Sequence, residues 1–132
     1  MPIPNALVAT ITLNYPEKLN AFNNEMLHAW AARLEECRDR DDIRVIVVTG
    51  AGRGFCSGGD TGGMGRSDQT SPRQAKENLQ TNIHPIALTL QTIDKPVIGA
   101  LNGVAAGAGL DMALHCDIRY AAASARFAET YT

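Results

Sequence analysis

The sequence predicts a layered α/β domain of 132 residues, and three observations carry that prediction. Strand and helix patterns alternate along the chain in the order β, α, β, glycine-rich loop, α, β, α, β. Ile43 to Thr49 is a near-continuous apolar run, as expected of a parallel strand covered by helices on both faces. All 12 glycines fall in two clusters, Gly50 to Gly65 and Gly99 to Gly109. Glycine concentrated in this way marks places where the backbone itself approaches another group closely.

Ala6 to Leu13 alternates around Val8, Ile11 and Leu13 and reads as the first strand. Asn14-Tyr15-Pro16 ends it, and Glu17 to Phe22 forms a loop. Asn23 or Asn24 then caps a helix, with Met26, Leu27, Trp30, Leu34 and Cys37 on one stripe and Glu25, Arg33, Glu36 and Arg38 facing away. Ile43 to Thr49 is the second strand. Gly50 to Gly65 is too rich in glycine for a helix. Ser71-Pro72-Arg73-Gln74 fits a capping box with proline at the first helical position. The stripe Ala75, Leu79, Ile83, Ile86 and Leu90 carries that helix to about Gln91, with a kink or break at Pro85. Val97 to Leu101 is the third core strand. Asn102 to Gly107 turns, Ala108 to about His115 is a helix, and Asp117 to Ala121 is a further strand or sheet edge. Ala125 to Thr132 starts another element, so the chain is expected to be a fragment of a longer protein.

Composition narrows the function classes. Apolar residues make up 45% and charged residues 20%, and the net charge is −2. Nothing in that balance attracts nucleic acid or an anionic membrane. No apolar run approaches the roughly 20 residues that span a bilayer, and MPIPNALVAT lacks the features of a signal peptide. Cys37, Cys56 and Cys116 form no CxxC pair, and His28, His84 and His115 have no metal-ligand spacing. The expectation is a reducing, cytoplasmic setting with no metal. No period of 20 to 50 residues recurs, which excludes a sequence repeat.

Two strand-to-turn junctions carry the chemistry, one after Thr49 and one after Leu101. TGAGRGF resembles the start of a dinucleotide fingerprint, but the third glycine of GxGxxG would fall on Phe55, and no Walker loop ending is present. In open α/β sheets, ligands sit at the carboxyl ends of neighbouring strands. One N–H from each junction would form a two-donor hole for a negative oxygen developing on a carbonyl. A thioester suits such a hole, because its enolate places charge on that oxygen.

The residues that carry a family resemblance are Asn14-Tyr15-Pro16, Leu19-Asn20-Ala21-Phe22, Ile46 to Gly50, Phe55-Cys56-Ser57-Gly58-Gly59-Asp60, Lys95-Pro96-Val97-Ile98, Asn102-Gly103 and Cys116-Asp117-Ile118. In order and spacing the chain resembles the enoyl-CoA hydratase/isomerase (crotonase) family over nearly its whole length. The resemblance implies one domain over residues 1–132, a crotonase-like ββα spiral core of four turns. The family's C-terminal helical part, which closes the site and helps build the trimer, would be missing from this chain. It also implies an acyl-CoA substrate, no cofactor besides that coenzyme A, and a homotrimer or hexamer at full length.

Carried over by position, the backbone N–H groups of Ser57 and Ala108 would form the oxyanion hole. Lys18, Leu19 and Ala21 match the loop that contacts coenzyme A, and Gly58, Gly59, Asp60 and Thr61 match the segment lining the acyl-CoA. Hydratases of the family use two glutamates. Here the first position is Asp111 and the second is Tyr131. Asp111 can still take or give a proton. Tyr131 is a poor base that can serve as an acid or a hydrogen-bond donor, and Glu129 is a nearby carboxylate that shares its face if the segment is a strand. One carboxylate fits double-bond isomerisation, or other acyl-CoA lyase or hydrolase chemistry, at least as well as hydration. A non-catalytic acyl-CoA-binding or scaffold protein is the reading from another class.

Plainer roles compete at several positions. Asp111 can serve as a helix N-terminal acid, and His115 reads as a packing or surface histidine. Cys56 reads as a small buried thiol, since no base stands beside it. Ser57 lies outside a GxSxG turn, and Asp60 can simply orient its glycine loop. Trp30 reads as core, and Tyr131 as structural or catalytic.

Overall fold

A computed structural model describes residues 6–60 and 71–130. The elements are β1 (Leu7–Leu13), α1 (Asn24–Asp39), β2 (Ile43–Gly50), β3 (Gly54–Cys56), α2 (Pro72–Asn78), α3 (His84–Gln91), β4 (Val97–Leu101), β5 (Val104–Ala106), α4 (Ala108–Leu114), β6 (Ile118–Ala121) and β7 (Phe127–Ala128). They form two sheets, ordered β1-β2-β4-β6 and β3-β5-β7, and every strand pair is parallel.

The chain climbs as a spiral. Each turn runs through the larger sheet, crosses to the smaller one and returns through a helix: β2-β3 then α2 and α3, then β4-β5-α4, then β6-β7. The first turn follows the same course in reduced form. After β1, Phe22 makes an isolated parallel bridge to Gly59 before α1 begins. This is the α/β spiral core that the resemblance implies. The repetition is one of path and leaves no trace in the sequence, because the turns differ in length and residues.

The long elements follow the sequence pattern closely. The Asn23 side chain caps α1 by accepting from Met26 N–H at 2.9 Å. Leu27, Trp30, Leu34 and Cys37 face inward and are buried. At the other end of α1 the carbonyls that lack helical partners meet Lys95. Its ammonium lies 2.7 Å from the carbonyl oxygen of Cys37, 2.9 Å from that of Arg38 and 2.6 Å from that of Arg40. A cation at a helix C-terminus also complements the helix dipole. The core joins α1 and α3 to the larger sheet, with Leu34, Ile46 and Ile86 fully covered.

The capping box forms as predicted: Ser71 Oγ accepts from Gln74 N–H, and Gln74 Oε1 accepts from Ser71 N–H. Pro85 breaks the helix upstream of its own position. Leu79–Ile83 widens into a π-helical turn, and α3 starts at His84 with Pro85 in its first turn. Proline has no N–H for the carbonyl four residues back, and its ring crowds that carbonyl; the wider turn accommodates both effects. Asn82 is buried in this turn and bonds His28 Nε2 at 2.8 Å.

Two expectations need correction. The glycine stretches were expected to be loop and turn throughout, yet they hold β3 and β5. Strands of three residues show no readable period, and tertiary contact creates them. The face of β2 carrying Ile46 and Val48 is buried, whereas Val45 and Val47 on the other face are only half-buried among the described residues.

Leu34→Ala should lower unfolding free energy by about 3 kcal/mol, as for other fully buried leucines. Lys95→Met should cost about 1–2 kcal/mol by freeing the Cys37 and Arg38 carbonyls at the α1 terminus, while Arg40 C=O keeps Ile43 N–H. Urea denaturation followed by circular dichroism measures both.

Candidate active site

The site begins at the loop after β1. Pro16–Lys18 makes a single 3₁₀ turn, and Leu19 and Asn20 follow with φ of 52° and 56°. Asparagine adopts this left-handed backbone far more readily than leucine does. Asn20 is fully buried. Its Oδ1 accepts from Tyr15 N–H at 2.8 Å, and its Nδ2 donates to the carbonyls of Ala51 at 2.9 Å and Gly54 at 2.8 Å. Asn102, just after β4, reaches the same turn. Its Oδ1 accepts from Gly50 N–H at 3.1 Å, and its Nδ2 donates to the carbonyls of Gly52 at 2.9 Å and Gly54 at 3.0 Å.

Beyond β3 the chain runs along the Lys18–Phe22 loop. Ser57 N–H donates to Leu19 C=O at 3.0 Å, and Ser57 Oγ donates to Lys18 C=O at 3.1 Å. Phe22 N–H donates to Gly58 C=O at 2.8 Å, and Asp60 N–H donates to Phe22 C=O at 2.9 Å. The expected role of Ser57 is therefore corrected: its N–H is engaged by Leu19 and faces the loop.

The peptide that follows faces the other way. Gly58 C=O points at Phe22, and the peptide that follows is planar and trans. Gly59 N–H consequently points away from Phe22, toward the side of β3 where β5 and α4 lie. Gly58 itself has φ +94°, and a methyl built on it would stand 3.1 Å from the Ala106 carbonyl oxygen and 3.7 Å from the Ala108 nitrogen. Ala108 opens α4, so its N–H lies in the first turn, where no helical carbonyl receives it. Leu110 and Asp111 N–H both donate to Gly107 C=O. The main chain at Gly58 thus lies against the start of α4, close to the Ala108 nitrogen.

Asp111 is half-buried in the first turn of α4. Its carbonyl oxygen lies 2.8 Å from Nδ1 of His115, so the imidazole bonds the main chain of that turn. His115 is exposed, in keeping with a surface role. Lys18 and Asp60 meet at 2.7 Å on the outer side of the loop, and the carboxylate beside it raises the pKa of the Lys18 ammonium. Lys18 Nζ also stands 5.6 Å from the Tyr15 ring centroid. Leu19 is half-buried beside Gly54, and Ala21 is buried, which leaves its main chain rather than its methyl to meet a ligand. Thr61 and Tyr131 lie outside the described residues. Glu129 follows the end of β7 and is exposed.

Sequence reasoning placed Gly59 in the segment lining the acyl-CoA and assigned no bonding role to Asn20 or Asn102. A carboxamide both donates and accepts and can satisfy two strands of backbone at once.

A sequence model described as enoyl-CoA hydratase/isomerase matches residues 4–132. The 1,2-epoxyphenylacetyl-CoA isomerase of Escherichia coli K12 is 46% identical over 95% of this chain and 48% of its own. A protein of Rhodobacter capsulatus named probable enoyl-CoA hydratase is 42% identical over 95% of this chain and 46% of its own. Among solved structures, an enoyl-CoA hydratase/carnithine racemase from Magnetospirillum magneticum superposes with a TM-score of 0.85 at 32% identity, covering 92% of this chain and 45% of that one. The chain spans about half the length of the curated relatives it matches.

Burial pushes the thiols of Cys56 and Cys116 up to about 11 and raises that of Cys37. At pH 8, roughly one part in a thousand of the first two would be thiolate, the reactive form. The folded protein should therefore react with Ellman's reagent far more slowly than the protein in 8 M urea, where all three cysteines titrate; stopped-flow absorbance compares the two.

Proposed function

We propose an acyl-CoA enzyme, starting from the fact that the chain belongs to the enoyl-CoA hydratase/isomerase family. The proposal is supported by the close packing of Gly58 on the start of α4, beside the Ala108 nitrogen, which would let Gly59 and Ala108 N–H from two turns of the spiral act as a pair of donors. A thioester carbonyl oxygen placed between them gains charge as an enolate forms. Each donor is then worth ~3 kcal/mol, because it needs no reorientation during the reaction.

Asp111 is the proton carrier in this reading. In hydration of a Δ2-enoyl-CoA, water adds its oxygen at C3, the π electrons move onto the carbonyl as an enolate, and a proton is delivered at C2. Asp111 performs one of the two proton movements, and Tyr131 occupies the position of the second group. Isomerisation is the second reading, favoured by Asp111 being the only carboxylate in the α4 turn and by the isomerase name of the Escherichia coli relative. There one carboxylate removes the C2 proton of a Δ3-enoyl-CoA, and the same proton returns at C4.

Lys18, Leu19, Ala21 and the segment Gly58 to Thr61 hold the coenzyme A portion and line the acyl group in this proposal. Coenzyme A arrives with the substrate, and the chemistry draws on no other cofactor. For the whole protein we propose a homotrimer or hexamer in the cytoplasm, with no nucleic-acid or membrane partner. No helix among the described residues is long and apolar enough to cross a membrane.

The test is turnover of crotonyl-CoA and of a Δ3-enoyl-CoA, followed by absorbance and product chromatography. Asp111→Asn should cut turnover by about 10²–10⁴, the range for a positioned acid–base group, with substrate affinity within about threefold. Loss of crotonyl-CoA absorbance indicates hydration, and its appearance from the Δ3 isomer indicates isomerisation. Equal turnover by wild type and Asp111→Asn would defeat the assignment of Asp111.

A further inference from the structure

We propose that Asn20 is a positioning residue for thioester recognition, coupling the loop that meets coenzyme A to the placement of the Gly59 donor. The inference rests on the acyl-CoA reading above and adds a residue that never touches the substrate. The carboxamide of Asn20 is fully buried and uses both donor hydrogens and its oxygen on main-chain groups: Tyr15 N–H, Ala51 C=O and Gly54 C=O. Those groups belong to two segments, the loop after β1 and the turn between β2 and β3, which also meet where Leu19 packs on Gly54 and where Ala51 N–H donates to Leu13 C=O at the end of β1.

Gly54 is the point of leverage. Its carbonyl receives Nδ2 of Asn20 from one segment and Nδ2 of Asn102 from another. Asn20 belongs to the loop bearing Lys18, whereas Asn102 leads from β4 to the Ala108 turn. Gly54 also opens β3, and the chain from there to Asp60 carries the first donor. That short run is tied to the same loop at its far end, where Phe22 bonds Gly58 and Asp60, and midway, where Leu19 receives Ser57 N–H. The run from Gly54 to Asp60 is thus held at its start by the Asn20 side chain and further along by loop main chain. Removing the Asn20 carboxamide takes away one of the two side-chain bonds on Gly54 C=O and leaves that of Asn102. The loop keeps its main-chain bonds and its coenzyme A contacts, while the separation of Gly59 from Ala108 is held less closely.

This division predicts a split that general loss of stability would not produce. Calorimetric titration compares acetyl-CoA with S-ethyl-CoA, a thioether in which a methylene replaces the carbonyl. Wild-type protein should prefer the thioester by about tenfold, the worth of two modest hydrogen bonds. Asn20→Gly keeps the left-handed backbone available and should abolish most of that preference, with S-ethyl-CoA affinity within about threefold of wild type. Asn20→Asp has the same shape and can hold at most one of the two carbonyls, so its preference should fall between the two. Should Asn20→Gly fail to fold, Asn20→Asp carries the test. A preference kept at the wild-type value in a folded variant overturns the inference. Equal weakening of both ligands, or loss of fold in both variants, overturns it in favour of a purely structural role. Absence of any thioester preference in the wild type overturns the acyl-CoA reading itself and the inference with it.

Discussion

Backbone has to touch backbone where one turn of the spiral lies on the next, and the structure depends on that constraint. A methyl at Gly103 would overlap the carbonyl of Arg53, and a methyl at Gly109 would overlap the carbonyl of Cys56. These contacts bring β3 against β5 and against the start of α4. The smaller sheet has strands of only two or three residues, which could not hold together alone. It exists because the larger sheet stacks its turns in register and glycine lets the ends of those turns meet without side chains between them. The approach of Gly58 to the Ala108 nitrogen follows from this closeness.

Several motif residues that look chemical in sequence turn out to hold elements in place. Lys95 closes α1 from across the fold. Asp117 accepts Val97 N–H at 2.8 Å and returns a main-chain bond from its own N–H to Val97 C=O at 2.9 Å, joining the start of β4 to the approach of β6. Charged groups used this way satisfy main-chain atoms at element ends, where the regular ladder runs out.

The parts legible in sequence were those whose cause is local. The stripe from Leu27 to Cys37 needs only helical spacing, and the Ser71–Gln74 box needs only neighbours on one turn. The first donor was misplaced within Phe55–Asp60 because the direction of a single peptide plane decides it. That direction follows from the bonds of Phe22 to Gly58 and Asp60, which lie far away in sequence. Asn20 and Asn102 were visible as residues, but apart from Tyr15 their partners are 31 to 52 positions distant, so their duty could not be read. At Pro85 the location of the break was legible, while its form, a π turn placed upstream, was not. β3, β5 and β7 arise from tertiary contact and leave no periodic signal.

The two proposed donors are main-chain groups, and this has a consequence for how such a protein would change over generations. No ordinary codon change deletes an amide N–H; only substitution by proline removes it. Under the proposed function, the electrophilic half of the chemistry would be inherited with the fold, whatever side chains stand at positions 59 and 108, provided they fit. The proton-handling half would rest on side chains, which a single substitution can move, shorten or replace. A lineage built on such a frame could then explore new reactions of one substrate class without first losing its grip on the carbonyl.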